Sequence, residues 1–166
     1  SDFANNSGPS ASVVSTQVTI DTSYPTSTIT SPSTPRSSRS LFYGVVFNQS
    51  VTGFATADVS NVGTASCSTT SVTGSGTIYT VGLTCTTDGT AIMRIAASSV
   101  TGSLGAGPTV AENATIVTID ATGPTAAWST PTSPVGSDTA SFNITFNEDA
   151  TIGAGDVTSS GTATGC

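Results

Sequence analysis

The chain has 166 residues, a formal net charge of -7 and no histidine, and Arg36, Arg39 and Arg94 are its only basic residues. Without imidazole or lysine it cannot carry Ser-His-Asp or Cys-His catalysis, a histidine-ligated zinc site, a P-loop or a Schiff-base lysine. Three arginines in an acidic chain are also too few to bind a nucleic-acid backbone or an anionic membrane surface.

Hydroxyl side chains dominate the composition, with 33 Thr and 27 Ser, whereas 36% of the residues are apolar and 8% are charged. Threonine is β-branched and favours strands, while serine and glycine favour turns. Short bursts of Val, Ile and Phe between turn residues therefore indicate β structure rather than a disordered stalk. No apolar run approaches the length of a membrane span, so we expect no membrane insertion.

In chain order, apolar alternation and turn signals predict a series of strands and no helix. Gly74-Ser75-Gly76 and Asp88-Gly89 mark tight turns, whereas the Pro-containing segment 26–40 is expected to be a long loop. Several short strands in about 100 residues predict an all-β, two-sheet Greek-key sandwich. The expected strands cover residues 10–20, 38–48, 59–73, 77–86, 91–97, 109–119 and 140–147.

The sequence repeats itself at an offset of 99 residues. Several prolines and a Gly-Pro pair recur at this spacing, and so do two longer strings. Val18-Thr19-Ile20-Asp21 returns as Val117-Thr118-Ile119-Asp120, and Phe47-Asn48 returns as Phe146-Asn147. So many matches at one offset indicate a tandem array of domain-sized repeats.

One deletion after residue 53 shortens the offset, so that Asp58 aligns with Asp156. The repeat then predicts three parts of the chain. Residues 1–20 are the closing strand of a preceding repeat, 21–119 a complete sandwich, and 120–166 the first half of the next repeat. A half of that size is close to the limit below which a core is inadequate. We therefore expect further chain or a second molecule to complete it.

Two cysteines lie symmetrically about the predicted hairpin. Cys67 and Cys85 are each nine residues from Gly76, so we expect them to face each other across the two strands. A cross-strand disulfide is the favoured interpretation, and two buried free thiols are the alternative. Cys166 aligns with Cys67 and has no partner at the Cys85 position of its own repeat.

Several strings resemble the immunoglobulin-like tandem repeats of large bacterial surface adhesins. Residues 19–25 are similar to the junction between such repeats, and Val46–Phe54, followed by Asp58-Val59, is similar to a stretch inside them. Residues 74–81 and 87–90 are also similar to the sequence pattern of that family. The resemblance covers essentially the whole chain. It implies tandem immunoglobulin-like Greek-key β-sandwiches of about 99 residues each, on a cell surface.

The same resemblance implies calcium at the junctions between repeats. Asp21 and Asp120 are the candidate ligands, because calcium takes carboxylate and carbonyl oxygens. Glu148 and Asp149 could reach the second junction, whereas the first repeat has no carboxylate at their positions. The alternative is that both aspartates cap turns. Asp21-Thr22-Ser23 also matches an aspartic-protease string, but the second copy loses it, so we expect no enzyme.

Four triplets have the form of N-glycosylation sites, beginning at Asn5, Asn48, Asn113 and Asn143. Such triplets also arise by chance in a chain this rich in Ser and Thr. The hydroxyl-rich segment 26–40 is a candidate for O-glycans. Trp128 and Tyr24 are the aromatic candidates for a sugar-binding platform, and packing at a module edge is the alternative for both.

These observations predict a non-catalytic structural segment of an extracellular adhesin, stalk or filament. Its expected partners are neighbouring repeats or copies of itself, with host or surface glycans bound through other parts of the parent protein. One alternative is a self-assembling filament subunit, in which strands from neighbouring chains complete the sandwiches. The other is a carbohydrate-binding accessory module of a secreted enzyme.

Overall fold

The computed structural model describes residues 22–133, 136, 139–158 and 160. The fold is all-β, with antiparallel sheets consistent with a β-sandwich, as expected. The predicted strand at 10–20 lies outside the described residues. The strands are β1 Ser27–Thr30, β2 Ser40–Val51, β3 Val59–Asn61, β4 Cys67–Cys85, β5 Gly89–Ala91, β6 Met93–Ile95, β7 Val100–Thr101, β8 Ala106–Gly107, β9 Glu112–Asn113, β10 Val117–Ile119, β11 Ala126–Trp128 and β12 Ile144–Phe146.

Strand β2 is the centre of the largest sheet, in which the order is β1-β2-β4. Side chains alternate across a strand, and β2 buries every second residue from Leu41 to Phe47 while Phe42 and Val46 face solvent. A register shift interrupts its pairing with β4 between Val46 and Val51. The other sheets of this part are β3-β6-β9, β10-β5 and the short pair β7-β8.

Strand β4 contains the predicted hairpin. Its first and last residues have Cα atoms 3.9 Å apart, whereas 19 extended residues would span about 60 Å. Gly74 and Gly76 have positive φ values, which glycine adopts without a Cβ penalty. A Cβ on Gly74 would lie 2.2 Å from the Ile78 carbonyl oxygen. The chain therefore reverses at these glycines.

Five of the predicted elements differ from the structure, and one of them, the strand expected at 140–147, is reduced to β12. Residues 59–73 do not form one strand, because the Asn61 side chain turns the chain: its Nδ2 donates to the Ala65 carbonyl (2.6 Å), and its Oδ1 accepts the Gly63 N–H (3.2 Å). Oδ1 also accepts the Ile92 N–H (2.8 Å), at the break between β5 and β6 in the predicted strand 91–97. The predicted strand 109–119 is divided into β9 and β10, and β1 lies inside the expected loop 26–40.

Apart from the hydroxyl groups of Tyr43 and Tyr79, the core is apolar: none of the described charged or other polar residues is buried. Phe47, Phe54 and Tyr79 pack edge to face, with ring centroids 5.3–5.8 Å apart. This arrangement suits the aromatic quadrupole. The buried members are Leu41, Tyr43, Val45, Phe47, Val51, Val59, Ala65, Tyr79, Val81, Leu83, Cys85, Ala91, Met93, Ile95, Val100, Ala114, Val117 and Ile119.

We call Ser27–Ile119, which contains this core, the first unit, and Ala126–Thr158 the second unit. The second unit contains the β11-β12 pair, and none of its described residues belongs to the core. Its pairing has the register of β1-β2 moved by 99 positions: Ser27 pairs with Phe47, and Ala126 pairs with Phe146. The two pairs are therefore laid out alike although their surroundings differ.

Candidate junction site

The segment that leads into the first unit is held by polar side chains at the end of β2. Asn48 accepts the Thr26 N–H (3.0 Å) and donates to the Tyr24 carbonyl (3.3 Å). Gln49 donates to the Ser23 carbonyl (2.8 Å). We call residues 23–27 the entrance junction.

Two further contacts fix the entrance junction. Pro25 is fully buried, and Gly102 and Gly107 allow its close approach, because a Cβ on either would lie 2.6–2.7 Å from the proline ring. Both Glu112 carboxylate oxygens accept the Ser27 N–H, at 3.1 and 2.9 Å, and one also accepts the Ser27 hydroxyl. Proline and a carboxylate thus hold the start of β1.

The segment that leaves the first unit is held by Asp88, in the turn after β4. Its carboxylate accepts the N–H groups of Ala121 (3.1 Å) and Thr122 (3.0 Å) and the Thr122 hydroxyl. It also pairs with Arg39 at 2.8 Å, and Arg39 donates to the Thr122 hydroxyl (3.2 Å). We call residues 120–122 the exit junction.

The hydrogen bonds to the Asp88 carboxylate favour its charged form. The Thr122 hydroxyl, the Arg39 guanidinium and the Ala121 N–H lower the pKa of Asp88 to about 2, against an opposing effect of burial. Asp88 therefore remains charged well below the usual range of an aspartate. Since the site is partly exposed to solvent, its main effect is to fix the geometry of the exit junction.

Of the two predicted metal ligands, only Asp120 lies among the residues that the structure describes. Asp21 lies outside the described residues. Asp120 is exposed at the exit junction, where its N–H donates to the Arg36 carbonyl (2.9 Å) and its side chain lines a shallow cleft with Arg36. The described residues contain no group of three or more metal-ligating side chains. Calcium at the junction therefore stays a prediction.

The predicted disulfide is confirmed: Cys67 and Cys85 are bonded across the β4 hairpin. The Thr86 N–H donates to the Ser66 carbonyl (2.8 Å), so the bridge continues the register of the hairpin. Cys85 is buried against the core and Cys67 is partly buried beside it. The third cysteine, Cys166, lies outside the described residues.

The structure places the glycosylation candidates in different settings. Both polar atoms of the Asn48 side chain are engaged at the entrance junction, so a glycan on Nδ2 would compete with the bond to Tyr24. Asn113 and Asn143 are exposed, and Asn5 lies outside the described residues. Glycosylation stays a prediction at these positions.

The aromatic candidates for sugar binding are exposed but belong to different places. Tyr24 precedes the buried Pro25, and its carbonyl accepts the Asn48 amide. Trp128 is 55% exposed and lines an apolar cleft with Phe142 and Val157 in the second unit. Tyr24 is not among the described residues that line this cleft.

Sequence reasoning did not identify Asp88, Gln49 or Glu112 as junction residues. The Asp88-Gly89 pair was visible only as a turn signal, and the partners of the Asp88 carboxylate are 33 and 34 residues further along the chain. The repeat itself carried a usable signal for Asn48, because Asn147 recurs with it. The Thr125 N–H donates to Asn147 Oδ1 (2.6 Å), as the Thr26 N–H does to Asn48.

Comparison of the chain with protein-family models, with curated proteins and with solved structures found no match. Among the described residues, no helix has the length and apolar character of a membrane span.

Proposed function

We propose that this chain is a non-catalytic structural segment of an extracellular adhesin, stalk or filament, assembled from tandem immunoglobulin-like β-sandwiches. The observation that carries the proposal is the position of the two junctions. The chain approaches the first unit beside Gln49, near the end of β2, and leaves it beside Arg39, just before β2 begins. At about 3.3 Å per strand residue, these points are about 33 Å apart.

Junctions at opposite ends of a unit favour a rod-shaped array of units. When each unit is entered at one end and left at the other, successive units follow one another instead of folding back. A pulling force would act through β1, which pairs antiparallel with β2, and through β10, which pairs with β5. Such a force would act along the paired strands. It would therefore load several interstrand hydrogen bonds together instead of one at a time.

The internal correspondences support the tandem part of the proposal. Besides the matching β1-β2 and β11-β12 registers, a small turn recurs at an offset of 98, in agreement with the deletion in the alignment. Asp58 Oδ2 accepts the Ala55 N–H, and Asp156 Oδ2 accepts the Gly153 N–H, each at 2.8 Å. The same side chains therefore make the same local contacts at two places in the chain.

The disulfide supports the extracellular part. Disulfides persist in oxidising surroundings and are rare where thiols are kept reduced. The bridge locks the β4 hairpin beside the core, and it limits how far that part of the chain can extend when a unit opens. A surface rich in hydroxyl groups and free of lysine offers few sites to lysine-directed proteases.

A filament joined by strand exchange between chains is the second candidate. It is favoured by one observation, which is that the second unit exposes large apolar side chains, including Trp128 and Phe142. In that version neighbouring chains, rather than one covalent array, would supply the strands that cover this face, from residues other than 68–119.

The intact mass of the native protein separates the two versions. It should be measured with and without reductant, beside electron microscopy of the assembled state. A reduced mass well above 16.3 kDa, after removal of glycans, supports a covalent array. A mass near 16.3 kDa with ordered polymers supports the filament of separate subunits. A small monomer found only in a reducing compartment would contradict both versions.

A further inference from the structure

The second unit exposes an apolar face. Four of its large apolar side chains are 44–55% exposed, namely Trp128, Phe142, Ile152 and Val157. Trp128, Phe142 and Val157 line a cleft of about 330 Å³ together with Thr158 and Ser160. Surface leucines or valines that occur singly need no explanation, but large apolar side chains grouped around a cleft are typical of an interaction site.

The first unit shows what these positions do when they are covered. At the offset of 99, Phe142 corresponds to Tyr43, which is fully buried. At the offset of 98, Val157 corresponds to Val59, which is 7% exposed. At the offset of 99, the counterpart of Trp128 is Ile29, which packs against the core. The exposed face of the second unit is therefore laid out like the interior of the first.

The open edge of β12 points to the same conclusion. In the part of the chain that the structure describes, β12 pairs with β11 alone, whereas β2 pairs with both β1 and β4. The β2-β4 register places Val81 opposite Tyr43 and Tyr79 opposite Val45. An incoming strand of the β4 type would therefore place its own apolar residues beside Phe142 and Ile144.

We propose that the second unit is the acceptor half of a second sandwich, and that its partner is a β-sheet segment with the alternating apolar pattern of 68–119. Such a segment supplies one strand to the β12 edge and a facing sheet over the cleft. In the first unit the second arm of β4 performs the first task, and β6 and β9 perform the second by pairing onto β3, which lies outside 68–119. The inference rests on the proposed function, because it assumes that the array is built of equivalent units.

A folded second copy of the chain does not provide this partner. Its residues 68–119 are already engaged with its own β2. If two copies exchanged these segments, each would still contain two acceptor pairs, β1-β2 and β11-β12, and one covering segment among the described residues. The partner is therefore an additional segment of the same chemistry.

The test extends the full chain by a copy of Ser68–Ile119 attached directly after Cys166, which aligns with Cys67. Hydrogen exchange should slow by at least about tenfold at the amides of Ile144 and Phe146, which face away from β11, as ladder bonds form on the open edge. Trp128 is the only tryptophan, so its emission should move to shorter wavelength and acrylamide should quench it less. Exchange in β2 reports that the first unit has folded.

Neighbouring residues on opposite faces provide the matched control. Phe142→Asp in the extended chain should abolish both changes, because it places a charge in the new interior. Ser141→Asp should leave them intact, because Ser141 is exposed and aligns with Phe42, which is 63% exposed in the completed first unit. Equal effects of the two variants would overturn the proposed register.

Two other results would overturn the proposal. One is unchanged β12 exchange in the extended chain while β2 stays protected. The other is burial of Trp128 in the unextended chain as its concentration rises, measured with sedimentation, because that would assign the face to a second copy. The native mass and assembly test the proposed function separately, so either idea can fail alone.

Discussion

Phe47 and Phe146 form a natural matched pair, because they are the same residue at equivalent places in two strand pairs. Phe47 is 2% exposed and packs edge to face against Phe54 and Tyr79, with centroids 5.4 and 5.8 Å away. Removing a buried phenylalanine leaves a cavity and costs about 3–5 kcal/mol. We expect Phe47→Ala to fall in this range, because the aromatic contacts are lost as well.

Phe146→Ala should cost far less. Phe146 is only partly buried and lies in the second unit, none of whose described residues belongs to the core. Its removal should change the free energy of unfolding of the first unit by less than about 0.5 kcal/mol, as for surface substitutions. Urea unfolding followed by circular dichroism measures both variants. Equal losses, or a loss below about 1 kcal/mol for Phe47→Ala, would refute the division into a closed first unit and an open second unit.

Three further predictions concern the first unit and its exit junction. Reducing the Cys67–Cys85 bridge should lower the free energy of unfolding by about 3 kcal/mol, for a loop of 18 residues, and a double alanine variant should be insensitive to reductant. Tyr43→Phe should raise the free energy of unfolding by about 1 kcal/mol in urea, because the buried Tyr43 hydroxyl has no hydrogen-bond partner among the described residues; a loss would contradict this. The folded pKa of Asp88 lies below its unfolded value, so its contribution is present above about pH 4 and is lost as the pH falls towards 2. The Thr122 amide resonance should titrate near pH 2, and a midpoint near 4 would contradict the structure.

The main strands were predictable because their signal is local. β2 alternates apolar and polar residues over most of its length, and the two glycines of the β4 hairpin supply the positive φ values that its reversal requires. Symmetry about that turn was enough to pair Cys67 with Cys85.

The breaks in the predicted strands and the contacts at the junctions were not predictable, because the residues that make them are far apart in the sequence. Asn61 ends β3 and divides β5 from β6 through a side-chain bond to a residue 31 positions away. β1 was missed because STIT, among serines and prolines, has little apolar alternation of its own, and its pairing with β2 decides its structure. The Asp88 carboxylate likewise acquires its role only when the fold brings Thr122 to it.

The exposed face of the second unit was only partly predictable from the sequence. The sequence repeat predicted that residues 120–166 would need a partner, and it supplied the alignment on which that expectation depends. It did not say which side chains would be uncovered. The structure identifies Phe142 and Trp128 among them, and the β2-β4 pairing of the first unit supplies the register that we propose for an added strand.

Single-molecule stretching of the first unit, with handles at residues 23 and 122, tests the central claim that this is a load-bearing module. We predict one abrupt opening per unit instead of gradual extension. Because the bridge locks a loop of 18 residues, reductant should lengthen that step by about 60 Å, at about 3.6 Å per residue. Gradual extension without a force peak, or a step of unchanged length after reduction, would contradict the account.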